Sequence, residues 1–404
     1  MLATSGLVVN LLISYLYSDP AYLGIFNISY AMFIGLSQVT TFGFHISTLR
    51  YSVKFSSKNS QILTVSMLCV LTISVLTGMM VFVLKDFFSI FWDHQDGAQN
   101  LLPIIFAATI FSLNKVMMWA INAREDMTAY ASFQIVRGAA VLGAFLLFHF
   151  YWSVDPNLIF ACVLLGESIV FISLLIYCTR SIKFGRFNKR LFKVLSSFSR
   201  KSVPVGLISE VNLKVDVLCV GYFLSDSLTG IYSFMALFAE GFLSSMTVLK
   251  NFINPKIADS SYPISAAIEL HRKYRLYLST YGIIMIAGIC TFYMLYLNFA
   301  NPAEVFEEHT GVLLALIITP GILSSLLPFD QIFVYKGQPH LQTIYLMVIL
   351  IVNFSLNIIL IPFLSLWGAA IATGISMVAG QIYLNAKMRN KFGSSFLFPT
   401  KEKT

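Results

Sequence analysis

Charge is the scarcest commodity in this sequence. Only 11% of its 404 residues are charged, against about 25% in soluble domains, too few to cover a soluble protein of this size. Cysteine is sparse as well. Cys69, Cys162, Cys178, Cys219 and Cys290 fall in or beside apolar runs with no CxxC or Cys/His spacing. That excludes a disulfide framework or zinc site and leaves them as packing residues. No GxxxxGK[ST] phosphate loop is present, so ATP is not the evident driver, and no DxD pair, HExxH motif or nucleophile constellation occurs. Nothing calls for a metal or a cofactor. Hydrophobic residues, by contrast, make up 57% of the chain. They cluster in runs of about 20, the length a helix needs to cross roughly 30 Å of hydrocarbon.

The pattern is that of an all-α polytopic membrane protein. Polar breaks mark about twelve spans, at 1–18, 27–49, 62–84, 101–122, 129–150, 157–178, 202–224, 228–250, 275–297, 311–334, 341–363 and 366–387. The first, from Leu7 to Tyr17, has the length of a signal-peptide core but lacks its basic n-region and a small-residue cleavage site. Alternate connections sort the charges. Of 27 basic residues, Lys85 alone lies on one side and Lys115, Arg137 and Lys214 lie within spans, leaving 23 on the other. The positive-inside rule makes that side, with both termini, cytoplasmic. Asp19, Asp93, Asp96, Asp155, Glu304 and Glu307 then face outward. Topology therefore explains the net charge of +8, and no nucleic-acid partner is needed.

The outer connections are short, the longest being 85–100, so no soluble catalytic domain is inserted. The longest inner one, 179–201, interleaves Phe184, Phe187, Phe192 and Phe198 with cations. It reads as an amphipathic helix on the anionic inner leaflet. It would join a lobe over 1–178 to a second over 202–387, ahead of a cytoplasmic tail at 388–404. An internal repeat supports the duplication: Ser18-Asp19-Pro20-Ala21-Tyr22-Leu23-Gly24-Ile25-Phe26 returns, one residue shorter, as Ser225-Asp226-Ser227-Leu228-Thr229-Gly230-Ile231-Tyr232. Six spans per lobe keep the same orientation, so the expected arrangement is two pseudo-symmetric six-helix lobes around a central cavity. Span 12 carries a ridge of Gly368, Ala372, Ser376 and Gly380 suited to close packing. Pro320, Gly321 and Pro328 should bend or break span 10.

Ionisable groups inside spans are costly in hydrocarbon and normally face a bundle interior or water. Lys115, Arg137 and Lys214 are the candidate substrate-binding cations, and Glu167, Glu210, Asp216 and Glu240 the candidate gating or ion-coupling carboxylates. Asp330 and His45 are also intramembrane. Each has a plainer reading. Glu210 and Lys214 are spaced for a helical ion pair, and Arg137 is close enough to the inner end to snorkel. Lys115 has no counter-charge on its own helix, leaving substrate contact or a salt bridge between lobes. Three cations against five carboxylates is not the balance expected of a purely cationic cavity.

The turns also carry a family resemblance. Asp19-Pro20-Ala21-Tyr22-Leu23-Gly24, Thr41-Phe42-Gly43-Phe44 ahead of Thr48-Leu49-Arg50, Gly230-Ile231-Tyr232-Ser233, Asn254-Pro255-Lys256-Ile257, and Asn357-Ile358-Ile359-Leu360-Ile361-Pro362 followed by Trp367-Gly368-Ala369-Ala370 resemble the polysaccharide-exporter branch of the multidrug/oligosaccharidyl-lipid/polysaccharide superfamily. The resemblance implies a Wzx-type flippase of the inner membrane, carrying an undecaprenyl-pyrophosphate-linked saccharide, such as an O-antigen unit, from the cytoplasmic to the outer leaflet. It implies a lipid-linked oligosaccharide as substrate, with polysaccharide polymerase and chain-length machinery as protein partners. A drug or metabolite antiporter of the same superfamily is the nearest alternative. A membrane-embedded polymerase or glycosyltransferase is the alternative from another class.

Overall fold

The computed structural model describes residues 2–17, 19–90, 100–151, 160–258, 263–300, 304–335 and 338–397. Ser18 of the repeat, the outer acids Asp93, Asp96 and Asp155, Lys336 and the tail beyond Leu397 lie outside them. All long elements among the described residues are helices. They are α1 (Leu2–Leu16), α2 (Ala21–Thr41), α3 (Phe44–Lys54), α4 (Asn59–Val83), α5 (Lys85–Ser89), α6 (Leu101–Asn122), α7 (Met127–Tyr151) and α8 (Ala161–Ser181). There follow α9 (Lys189–Phe223), α10 (Asp226–Ala258), α11 (Ile264–Ala300), α12 (Glu304–Glu308), α13 (Thr310–Ile322), α14 (Ile332–Tyr335), α15 (Pro339–Leu364) and α16 (Leu366–Phe392).

The expected spans fall on helices, two of them on broken ones, and among the described residues nine helices are long and apolar enough to cross a membrane. The chain is a multi-pass membrane protein. The other three differ for physical reasons. α1 has 15 residues and α13 has 13, so at about 1.5 Å per residue neither alone spans the hydrocarbon. α9 is long enough, at 35 residues, but strongly charged. α13 stops just past Pro320 and Gly321. A short 3-10 turn at Leu327–Phe329, including Pro328, separates it from α14, so the proline-bearing span is broken as its sequence implies. Span 2 also breaks, at Phe42 and Gly43, which have φ of 44° and 71°. The Thr41 hydroxyl bonds the Ser37 carbonyl beside this break.

The expected surface helix at 179–201 is not a separate element. Residues 182–188 form a bend, and α9 then runs unbroken from Lys189 into the expected seventh span despite an internal Pro204. Leu191, Leu195 and Ser199 recur every fourth residue and are all buried, and Ser199 hydrogen-bonds Ser47 of α3 at 2.7 Å. Burial of that stripe makes the segment a packed helix.

The chain divides into two compact units, Met1–Ile13 with Ala21–Gly230 and Ser14–Pro20 with Ile231–Thr404. The first is organised on α4, α6, α8 and α9, whose Ile62, Val65, Val116, Met117, Leu174 and Leu195 are fully buried. Within it Gly24 of the first copy of the repeat packs on the second copy. A Cβ added to Gly24 would stand 1.7 Å from the Asp226 carbonyl oxygen and 3.0 Å from the nitrogen of Gly230, the matching glycine. The second unit is built on Phe242, Phe329, Phe333, Leu384 and Met388. Its small-residue ridge works as expected: Gly368 lets α16 approach the Leu360 carbonyl of α15, where a Cβ would come within 2.5 Å.

Candidate functional site

Phe111, Asn114 and Lys115 share one face of α6, being three and four residues apart. They meet Arg137 of α7 and Glu167 of α8. Arg137 is 3% exposed and Glu167 2%. The Arg137 Nε lies 3.0 Å from Glu167 Oε1, and Asn114 donates from Nδ2 to Glu167 Oε2 at 2.9 Å and to its carbonyl at 3.0 Å. One carboxylate thus ties three helices together. The close approach depends on Gly166, where a Cβ would lie 2.8 Å from Val141 Cα and 2.9 Å from its nitrogen. Arg137 therefore does not snorkel to the boundary; its charge is met inside the bundle.

The Phe111 ring is shared by two cations, with Arg137 Cζ 4.9 Å and Lys115 Nζ 5.9 Å from its centroid. Both distances are within cation–π range. Lys115 is half-buried. The carboxylate whose field reaches it is Glu210 on α9, opposed by the charge of Arg137. Glu167 is engaged by Arg137 and Asn114 instead. Arg137 Nη2 is buried and makes no hydrogen bond among the described residues, so the cluster holds a donor beyond those used to hold it together.

Lys214, also on α9, places Nζ 5.8 Å from the Tyr30 ring centroid of α2. His45 stands edge-on to Trp119 at 5.2 Å, within the field of Lys115. Lys115, Arg137, Lys214, Glu167 and Glu210 therefore all belong to the first unit. Asp216 is half-buried on α9, where its charge reaches Cys219. Glu240 lies half-buried on α10 in the second unit.

Sequence reasoning missed the organising parts, Phe111 and Asn114, although an asparagine beside a lysine in an apolar run is a legible signal. It also missed that Lys250 and Asp330 pair. Their Nζ to Oδ1 and Oδ2 distances are 2.7 and 2.8 Å, and the pair lies beside the break after α13.

The polysaccharide biosynthesis protein family model matches residues 7–269. No curated protein matches the sequence. Among solved structures, an inward-facing multidrug resistance MATE family transporter of the MOP superfamily superposes with a TM-score of 0.75 at 14% identity, covering 95% of this chain and 93% of that one. The lipid II flippase MurJ in an inward closed conformation gives 0.73 at 13% identity, over 96% and 85%. A eukaryotic MATE transporter, AtDTX14, gives 0.62 at 12%, over 96% and 94%. At such identities the likeness establishes the fold that these proteins share, and nothing finer.

Proposed function

Because this chain belongs to the polysaccharide biosynthesis protein family, we propose that it is a flippase and not an enzyme. It moves undecaprenyl-pyrophosphate-linked saccharide units, of the O-antigen or another surface-polysaccharide type, from the cytoplasmic to the outer leaflet of the inner membrane. The observation that carries this reading is the pair of cations on Phe111, one of them Lys115 on a half-buried surface and the other retaining an unused donor. An anionic phosphate group satisfies both. The resemblance of the first and second halves to polysaccharide exporters points the same way.

Dragging a multi-sugar head through hydrocarbon would strand each hydroxyl at a cost of a few kcal/mol. A polar cavity open to one leaflet at a time removes that cost while the isoprenoid tail stays in lipid. An inside-negative potential favours outward movement by about 2.3 kcal/mol per negative charge per 100 mV. Lys115, Arg137 and Lys214 hold the anionic head, and Glu210, Asp216, Glu240 and the fixed Glu167 set the balance of charge as access alternates. Polymerase and chain-length proteins would take the unit once it is outside.

The MATE likeness makes a drug or metabolite antiporter the second reading. Deleting the gene separates the two. The flippase reading expects complete lipid-linked units to accumulate facing the cytoplasm and surface polysaccharide to vanish. If complete units still reach the outer leaflet in the deletion strain, the assignment is wrong.

A further inference from the structure

We propose that the bend between α8 and α9, with the helix ends that flank it (residues 180–193), is a binding site for the headgroups of anionic phospholipids at the basic boundary of the membrane. Six cations occupy this stretch, Arg180, Lys183, Arg186, Lys189, Arg190 and Lys193, and all are exposed. No carboxylate occurs anywhere between Glu167 and Glu210, so no acid of the segment itself neutralises them. Beside them Phe184, Phe187 and Phe192 are 41%, 53% and 39% exposed. Rings this open among cations suit the headgroup level of a bilayer, where an aromatic body and a charge are both accommodated.

The bend is also held in shape. The Gly185 N–H donates to the Ser60 carbonyl at 3.2 Å and lies 3.0 Å from Thr64 Oγ1. Asn188 Nδ2 donates to Gln61 Oε1 at 3.1 Å, and its Oδ1 caps α9 through the N–H groups of Arg190 and Leu191. A Cβ on Gly185 would stand 2.8 Å from the Gln61 nitrogen, so the chain is pressed against α4. Lys183 adopts a left-handed φ of 66°, an uncommon conformation for a residue with a side chain. Leu191 and Leu195 point inward, which sends Phe192 and its flanking cations outward. A backbone fixed in this way loses little freedom when its side chains meet a headgroup. A soluble phosphate would satisfy the cations but leave the rings in water; a phospholipid satisfies both.

The test is native mass spectrometry of the full chain in detergent, titrated with phosphatidylglycerol or phosphatidylcholine. The wild type should retain phosphatidylglycerol preferentially. The variant Lys183→Gln/Arg186→Gln/Arg190→Gln should weaken that binding roughly tenfold or more, since each cation near an anionic surface contributes separately. The charge-conserving Lys183→Arg/Arg186→Lys/Arg190→Lys should restore it, which separates lost charge from lost structure. A control, Lys387→Gln/Arg389→Gln/Lys391→Gln, removes three exposed cations from the end of α16 and should leave the preference intact. Equal retention by the wild type and the bend variant overturns the proposal. So does equal loss in the control, which would mean general basicity, and so does binding of inorganic phosphate in place of the lipid.

Discussion

Lys115 and Arg137 share one aromatic ring, yet the structure gives them different duties. Arg137 is bound into a buried pair, and removing one partner of such a pair leaves an uncompensated charge at a cost of about 3–5 kcal/mol. Glu167→Ala should therefore lower the unfolding temperature in detergent and the membrane abundance, and Arg137→Met with Glu167→Leu should recover most of the loss. If the double variant is stable but fails to export, Arg137 contacts substrate as well; if it exports, the pair is structural only. Lys115 has no such tie. Lys115→Ala should cut export roughly tenfold or more, the worth of a charge-assisted hydrogen bond, at near-normal abundance. Lys115→Arg should keep much of the activity, because the ammonium acts as a point charge, and Lys115→Glu should be worse than alanine. A gating role instead requires Glu210→Lys to rescue Lys115→Glu, Glu210 being the carboxylate that reaches it. Normal export by the alanine and glutamate variants would remove Lys115 from both roles. The sequence marked these charges because any ionisable group in an apolar run is conspicuous. It did not show which carboxylate serves which cation, because that depends on how α6, α7, α8 and α9 are rotated about their axes, a matter of tertiary packing.

Glycines decide how closely the helices approach, and they divide into two groups. At Gly24 an added methyl would collide with the Asp226 carbonyl at 1.7 Å, whereas at Gly35, about three turns further along the same face of α2, nothing lies within 4 Å. Gly24→Ala should cost about 1–3 kcal/mol or more through overpacking and show as reduced folded yield. Gly35→Ala should be neutral or stabilising by about 0.5–1 kcal/mol, since it only removes backbone freedom from a helix. Equal yields for the two variants would mean that Gly24 does not pack on the second copy of the repeat as described. Some element-level features were legible. Two prolines and a glycine announced the break after α13, and a four-residue spacing of small side chains announced that α16 packs closely, though not against which helix. The break at Phe42–Gly43 was not, because a phenylalanine at positive φ is uncommon and carries no mark in the sequence. The continuity of α9 was hidden by its cations, which masked a stripe of Leu191, Leu195 and Ser199.

For the whole molecule, composition alone identified a helical membrane protein, since the excess of apolar residues over charges admits no other class. The arrangement of its ends rests on charge sorting, which is a statement about the membrane as much as about the chain. Cysteine accessibility tests it directly. Cys69, Cys162, Cys178 and Cys219 are buried and Cys290 is partly so, so replacing Cys290 alone should leave a background that an impermeant thiol reagent barely labels. On that background Glu307→Cys, exposed at the end of α12, should react in intact cells. Lys189→Cys, equally exposed at the start of α9, should react only after the membrane is opened. Both sites are open to reagent by the structure, so a difference between them reports sidedness and not burial. Labelling at 189 from outside would invert the molecule and place the basic bend, with its expected anionic lipids, on the wrong leaflet. Labelling at both sites without permeabilisation would mean that the count of crossings between them is not odd, and that one of α9, α10 and α11 fails to traverse the bilayer.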